Sequence, residues 1–130
     1  MKVTVTAPDA PAAIGPYSQA VIHDGLLLTS GQIGIDPATG RMAGPDAASQ
    51  TRQCMRNLEA VLRAAGASWN DVLKATVYLA DMADFTAMNE EYKSYFSSDY
   101  PARCCVATAG MALNARVEIE LLAAVPRRDD

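Results

Sequence analysis

The fold is decided by the stretch DAASQTRQCMRNLEAVLRAAG, residues 46–66, where the hydrophobic spacing becomes helical. Its inward positions recur every three or four residues, which places them on one face of a helix. Asp46 can cap the start of this helix and Gly66 can end it. The predicted core face consists of Thr51, Cys54, Met55, Leu58, Val61, Leu62 and Ala65.

The residues after this helix alternate with a period of two and then return to helical spacing. The segment DVLKATVYLAD, residues 71–81, predicts a strand. One side of it is expected to carry Leu73, Ala75, Val77 and Leu79, and the other Lys74, Thr76 and Tyr78. A second helix is predicted within residues 81–98, with its apolar positions at Phe85, Met88, Tyr92 and Tyr95 or Phe96.

Strands are also predicted at both ends of the chain. Residues 103–108 and 116–125 form the last two, and in the final one Val117, Ile119 and Leu121 alternate with Arg116, Glu118 and Glu120. At the start, residues 2–6 alternate like a short strand, and two strands flank Asp24 and Gly25, a strong hairpin dipeptide. A short extended piece at residues 32–35 precedes a loop, DPATGRMAGPD.

This order, β-β-β-α-β-α-β-β, predicts one α+β domain over residues 1–130, with six strands and two helices on one face of the sheet. The other face carries too many apolar side chains for contact with water, at residues 26–28, Val72 and residues 122–125. An exposed apolar face of that size predicts a partner, and the simplest one is a second copy of the chain.

Composition narrows the classes of function. The net charge of −4 argues against binding to nucleic acid, which favours a basic surface. The N-terminus lacks the apolar region of a signal peptide and no segment is long enough to span a membrane, so the expected compartment is the cytoplasm. With one histidine, His23, and no C-x-x-C motif, no metal site is expected. Residues 127–130, RRDD, are expected to form a solvated tail.

Arg103 is the strongest candidate for chemistry. It follows Tyr100-Pro101-Ala102, which restricts the backbone, and a planar guanidinium can hold a carboxylate through two hydrogen bonds. The alternative is an ordinary surface charge at a strand entry. Either Glu118 or Glu120 could orient a water beside a bound anion, and the pattern alone does not choose between them.

The remaining polar candidates have simpler structural interpretations. Cys105 is interpreted as a packing residue, because no histidine stands near it in the sequence to activate a thiolate. Tyr17 and Tyr78 are interpreted as core or rim aromatics, and Ser30 as a strand-end hydrogen bonder. Asn89 lies one position past the core stripe of the second helix, where a polar residue faces solvent.

Several motifs together resemble the RidA (YjgF-type) reactive-intermediate imine deaminases. The motifs GPYSQA, TSGQI, DPATG, PAR and VEIE stand in that family's order with similar spacing, and the resemblance covers about residues 10–124. It implies a chorismate-mutase-like α+β fold with a mixed sheet. It also implies a homotrimer built around a sheet-lined barrel, with ligand sites between subunits and no cofactor.

The resemblance implies a role for each candidate. Arg103 matches the arginine that grips the substrate carboxylate, and Glu118 matches the glutamate that positions water. The ligand-contacting positions match Tyr17, Ser30, Gly31, Asn89 and Cys105. The implied reaction is hydrolysis of 2-aminoacrylate, 2-iminopropanoate or 2-iminobutanoate to a 2-oxo acid and ammonia.

Three other functions stay open at this stage. The same cleft could bind a 2-oxo acid without turnover, or could serve a narrower deaminase acting on the aminoacrylate of pyrimidine breakdown or on an aminomuconate. The segment GMALNA, residues 110–115, departs from the family pattern and bears on that specificity. Endoribonuclease activity, known in some relatives, is disfavoured by the net charge and by the single histidine.

Overall fold

The computed structural model describes residues 1–126, and within them the chain forms nine strands and two α-helices. The predicted tail at residues 127–130 lies outside the described residues. Six strands precede the first helix: β1 (Val3–Val5), β2 (Ala20–His23), β3 (Leu26–Thr29), β4 (Gln32–Ile33), β5 (Ile35–Asp36) and β6 (Arg41–Met42). The later elements are α1 (Ala47–Ala64), β7 (Val72–Leu79), α2 (Phe85–Lys93), β8 (Ala102–Ala107) and β9 (Val117–Ala124).

The main sheet is mixed, as expected, but it has seven strands in the described residues rather than six. Its order is β1-β2-β3-β9-β7-β8, and β4 also pairs with β9. Only β7 and β8 run parallel. The seventh strand is β4, the predicted extended piece, whose two residues pair with Ile119 and Glu118. Two residues are too short to show a period, so the sequence predicted an extended piece here but not its pairing with β9.

The region predicted as the loop DPATGRMAGPD is partly a second, two-stranded sheet. Ile35 pairs with Met42 and Asp36 with Arg41, so β5 and β6 form a small hairpin. The hairpin between β2 and β3 is as predicted. Asp24 and Gly25 both have positive φ, of 50° and 75°, which a two-residue turn of this kind requires.

Both helices cover one face of the sheet, and the core lies between them and it. The whole predicted face of α1, including Cys54, is buried. The strands β7 and β9 contribute their alternate residues to this core: Val72, Ala75, Val77, Leu79, Val117, Ile119, Leu121 and Ala123. Met88 and Tyr92 of α2 are also buried.

Leu73 corrects the predicted alternation of β7. It was expected on the core side, but it is 48% exposed and Val72 is buried in its place. The pairing of β7 with β9 shifts its register between Val72 and Lys74. Such a bulge inserts one extra residue and reverses the sides of those before it. A strict period of two could not anticipate it.

Polar residues on the buried face of α1 hold the short strands in place. The Asn57 amide donates to the carbonyls of Ile33 and Ile35, at 3.2 and 2.9 Å. The Gln50 amide accepts from the backbone N–H of Arg116 at 2.8 Å and donates to the carbonyl of Gly44 at 3.0 Å. These bonds satisfy backbone groups of β4 and β5 and of the segments just before α1 and β9.

Gly34, between β4 and β5, gives a test of this packing. A Cβ added there would lie 2.8 Å from the backbone Cα and carbonyl oxygen of Gln50, and backbone atoms cannot move aside easily. We expect Gly34→Ala to lower the free energy of unfolding by about 1–3 kcal/mol, the usual cost of overpacking. The measurement is the urea midpoint at fixed protein concentration.

The matched control is Gly110→Ala. An added Cβ at Gly110 meets no heavy atom within 4 Å. We expect its midpoint to equal that of the parent protein. Equal midpoints for both variants would contradict the close contact between Gly34 and α1.

Candidate active site

Arg103 lies on β8 with its side chain over α2. Its register partner on β7 is the buried Ala75, so it points to the helix-covered face. The guanidinium carbon is 4.9 Å from the ring centroid of Tyr92 and 5.5 Å from that of Phe85. One nitrogen, Nη1, donates to the side-chain oxygen of Asn89 at 2.7 Å. The fork is therefore held by two aromatic rings and one amide.

The Arg103 charge has no carboxylate partner among the residues that the structure describes. Two other arginines of the chain differ in this respect, since Arg52 pairs with Glu91 and Arg116 with Asp84. An opening of about 460 Å³ adjoins the guanidinium. It is lined by Asn89, Tyr92, Lys93, Tyr100, Pro101 and Arg103. A half-buried, unpaired cation beside an opening of this kind can accept an anion.

The two adjacent cysteines of β8 face opposite sides of the sheet. Cys105 pairs with Val77, points to the same side as Arg103 and packs against the core, whereas Cys104 is exposed on the other side. Burial raises the pKa of Cys105, and the Arg103 charge only partly opposes it. A raised pKa keeps the thiol protonated at neutral pH, which agrees with its interpretation as a packing residue.

The second group of candidates consists of Glu118, Gly31, Ser30 and Tyr17. A Cβ added to Gly31 would lie 2.8 Å from the carboxyl carbon of Glu118, so the glycine backbone contacts this carboxylate directly. The Ser30 hydroxyl donates to the carbonyl of Ser18 at 2.6 Å. Tyr17, 51% exposed, lines with Ser30 a groove of about 510 Å³. Tyr17 lies in the segment before β2, and Ser30 and Gly31 lie directly after β3.

Glu118 is half-buried and accepts no hydrogen bond from the residues that the structure describes. Its neighbour Glu120, two positions along β9, accepts one from the Tyr78 hydroxyl at 2.5 Å. Burial, and secondarily the Glu120 charge, raise the pKa of Glu118. The Glu118 carboxylate is thus free to hold a water and binds a proton more readily than an exposed glutamate.

The structure places the two groups on opposite faces of the sheet. In β9, Ile119 is buried under the helices and Glu118 points the other way. Arg103 is on the helix-covered side. Within one chain, therefore, Arg103, Asn89 and Cys105 come together. On the other side Glu118 contacts Gly31, and Ser30, the residue before Gly31, shares a groove with Tyr17. The two groups do not come together.

The face that carries Glu118, called here the open face, is also apolar. It consists of the outward side chains of β3, β7, β8 and β9. Leu28 is 47% exposed, and Leu26 and Val106 are exposed as well. The predicted surplus of apolar side chains on this side of the sheet is therefore present in the structure.

The sequence did not predict the contacts of Arg103 with α2 or the contact of Tyr78 with Glu120. Phe85 and Tyr92 were interpreted as core residues only, and Asn89 was expected to face solvent. Their spacing along α2, four and then three residues, puts all three on one helical face, and that was the available signal. The hydrogen bond from Tyr78 to Glu120 was also unforeseen, although the period of β7 and β9 put both on the open face.

Other possible sites are weak in the described residues. His23 is exposed, 3.3 Å from Asp24 and close to the N-terminus. Within residues 1–126, no cluster of three His, Cys, Asp or Glu side chains could hold a metal ion. No helix in that part of the chain is both long and apolar enough to cross a membrane.

Comparisons with known proteins agree on one family. A family model described as Endoribonuclease L-PSP matches residues 7–125. The 2-iminobutanoate/2-iminopropanoate deaminase of Bos taurus is 47% identical over 94% of this chain and 88% of its own. The crystal structure of a putative endoribonuclease L-PSP from Entamoeba histolytica superimposes with a TM-score of 0.94 at 43% identity, covering 96% of this chain and all of that one.

A structure of E. coli TdcF with bound serine also matches, with a TM-score of 0.91 and 38% identity over 95% of this chain and 99% of that one. The family model spans most of the chain, and the Bos taurus relative is well above 30% identical over most of both chains. The chain therefore belongs to the Endoribonuclease L-PSP family, in its RidA/RutC branch of imine deaminases.

Proposed function

We propose that this protein hydrolyses 2-imino acids and their enamine tautomers to 2-oxo acids and ammonia. The small substrates named for its relatives, 2-iminobutanoate and 2-iminopropanoate, are the first candidates. Arg103 holds the substrate carboxylate and Glu118 directs the attacking water. The site forms between subunits of a homotrimer.

The observation that carries this proposal is the state of Arg103. A half-buried guanidinium without an ion-pair partner costs free energy, and a bound carboxylate would offset that cost. Asn89 occupies Nη1 only, so Nε and Nη2 keep N–H groups for two parallel hydrogen bonds. The serine bound to the TdcF structure is a 2-amino carboxylate of similar size to these imino acids.

Glu118 supplies the proton chemistry that the reaction needs. The protonated imine carbon is electrophilic, so water attacks it once the carboxylate accepts one of the water protons. Glu118 then returns that proton to the nitrogen, the C–N bond breaks, and a 2-oxo acid and ammonia leave. Fixing the substrate through Arg103 keeps its imine carbon in reach of this water.

A second copy of the chain is part of the proposal because of the sheet. Arg103 and Glu118 lie on opposite faces, so they can flank one substrate only if they come from different subunits. Burial of Leu26, Leu28 and Val106 of the open face would supply hydrophobic free energy for that association. Three copies would give three equivalent clefts.

Ribonuclease activity, which the family description suggests, is the weaker alternative. Acid–base cleavage of RNA favours histidine, and His23 lies exposed at a hairpin turn. A net charge of −4 also disfavours phosphate binding. A non-catalytic binder of 2-oxo acids is separated from the deaminase by turnover alone.

The first test replaces Arg103. We expect Arg103→Ala to lower kcat/KM for imino acids generated in situ by about 100-fold, because two charge-assisted hydrogen bonds are lost. Arg103→Lys should have a kcat/KM between those of Arg103→Ala and the parent protein, since lysine keeps the charge but not the planar pair of N–H donors. Release of 2-oxo acid is the measurement. Arg52→Lys, at a surface ion pair with Glu91, is the matched control and should keep the parent rate.

If the wild-type protein binds 2-oxo acids but does not accelerate the hydrolysis of any imino acid, the result would favour a non-catalytic binder of 2-oxo acids. Acceleration that survives in Arg103→Ala would contradict the clamp while leaving the deaminase in place.

A substitution at Gly31 tests the position of the Glu118 carboxylate without changing Glu118 itself. A methyl group there would collide with Glu118, so we expect Gly31→Ala to lower kcat by at least about tenfold, part of what a positioned base contributes. Gly110→Ala adds the same methyl group in open space and should keep the parent kcat. Equal rates for the two variants would show that the position of Glu118 does not matter.

Leu28 tests the assembly. Light scattering of the parent protein should give the mass of three chains, and Leu28→Glu, which puts a charge on the open face, should shift it toward one chain and abolish turnover. Leu113→Glu, at an exposed leucine in the segment between β8 and β9, is the control for mass. A fully active single chain would overturn the shared site.

A further inference from the structure

Tyr78 and Glu120 form a contact on the open face that the proposed reaction does not use. Tyr78 stands directly opposite Glu118 in the pairing of β7 with β9, and its hydroxyl reaches diagonally to Glu120 at 2.5 Å. Glu118 and Glu120 are alternate residues of one strand, so their Cα atoms are about 6.8 Å apart. The three side chains thus form one cluster, defined here as the tyrosine–glutamate cluster.

Few other titratable groups face this cluster in the described residues. Lys74 of β7 and Cys104 of β8 lie on the same face, and Cys54 of α1 lies beneath Glu118 on the other. The strands β3 and β4 bring no titratable side chain to it. The Glu120 hydrogen bond, with burial, raises the pKa of Tyr78 to about 12, so the phenol stays a neutral donor at physiological pH.

We propose that Tyr78 and Glu120 are positioning residues for Glu118: the Tyr78 hydroxyl holds the Glu120 carboxylate in place beside Glu118, so that Glu118 takes a proton from the attacking water more readily. The inference rests on the proposed deamination. Glu120 is given no contact with the substrate, and one of its two carboxylate oxygens accepts the hydrogen bond from Tyr78. Its effect on Glu118 is electrostatic, through a neighbouring negative charge.

The proton balance shows where this matters. Attack forms the bond between the water oxygen and the imine carbon, and one water proton moves to Glu118. That proton then goes to the amine nitrogen, the C–N bond breaks with its electron pair on nitrogen, and the remaining hydroxyl proton is released as the carbonyl forms. A negative charge at Glu120 favours the first transfer, because it stabilises the protonated form of Glu118.

The test is the pH dependence of kcat for wild type, Tyr78→Phe, Glu120→Gln and the double variant. Removing the Glu120 charge stabilises ionised Glu118, so the acidic limb of the profile should move to lower pH by about 0.5–1.5 units, the range that Coulomb's law gives at this separation. At neutral pH, kcat should fall by about twofold to threefold while KM stays constant. Tyr78→Phe should move the limb in the same direction by less, because the Glu120 side chain then keeps its charge but is no longer held beside Glu118.

The double variant distinguishes a linked pair from two separate effects. If Tyr78 acts only through Glu120, the double variant matches Glu120→Gln. Tyr95→Phe and Glu59→Gln are matched controls, because they remove a hydroxyl bonded to a backbone carbonyl and a carboxylate of a surface ion pair. Both should keep the parent profile. An unmoved limb in Glu120→Gln, or additive shifts in the double variant, would overturn the inference.

A second readout separates this inference from the function it rests on. Side-chain ¹³C NMR of the substrate-free protein follows the titration of Glu118 directly, and Glu118→Gln identifies its signal. We expect the Glu118 pKa to fall in Glu120→Gln. An active wild type whose Glu118 titration is the same in Glu120→Gln would refute the positioning role alone. A wild type without deaminase activity would refute the proposed function, and the positioning role with it.

Discussion

The pairing of β9 with three other strands is the constraint on which the rest of the structure depends. Its register with β3, β4 and β7 fixes which side of the sheet each residue occupies. A slip by one residue would expose Ile119 and bury Glu118, so burial of the apolar set strongly specifies this register. The register that buries the core therefore also places Glu118 and Glu120 on the open face. The parallel pairing of β8 with β7 places Arg103 on the helix-covered face.

Long periodic segments could be predicted from the sequence, and short ones could not. The core face of α1 followed from spacing because burial must repeat with the helical period. The side of the sheet that Leu73 occupies and the pairing of β4 did not follow, since a bulge and the pairing of a two-residue strand depend on β9 rather than on local pattern. The burial of Gln50 and Asn57 was not predicted for a related reason: they are buried because backbone groups elsewhere in the chain need hydrogen-bond partners.

The candidate site could be predicted by residue type but not by arrangement. Arg103 was identified from the proline before it and from its matching motif, yet its rings, Phe85 and Tyr92, had been assigned to packing alone. They serve both purposes, because an aromatic side chain can bury its edge in the core and present its face to a cation. A carboxylate in place of either ring would bind Arg103 more strongly and would compete with any anionic ligand for the same fork.

The open face joins leucines and carboxylates, and these have opposite needs. Removing water from Leu26 and Leu28 is favourable. Removing it from an ionised carboxylate is unfavourable unless hydrogen-bond donors replace the water. Tyr78 supplies such a donor to Glu120, but no described residue supplies one to Glu118. If a second subunit covers this face, Glu118 still needs a hydrogen-bond donor. A water trapped beside Glu118 and held by that hydrogen bond is what hydrolysis of an imine requires.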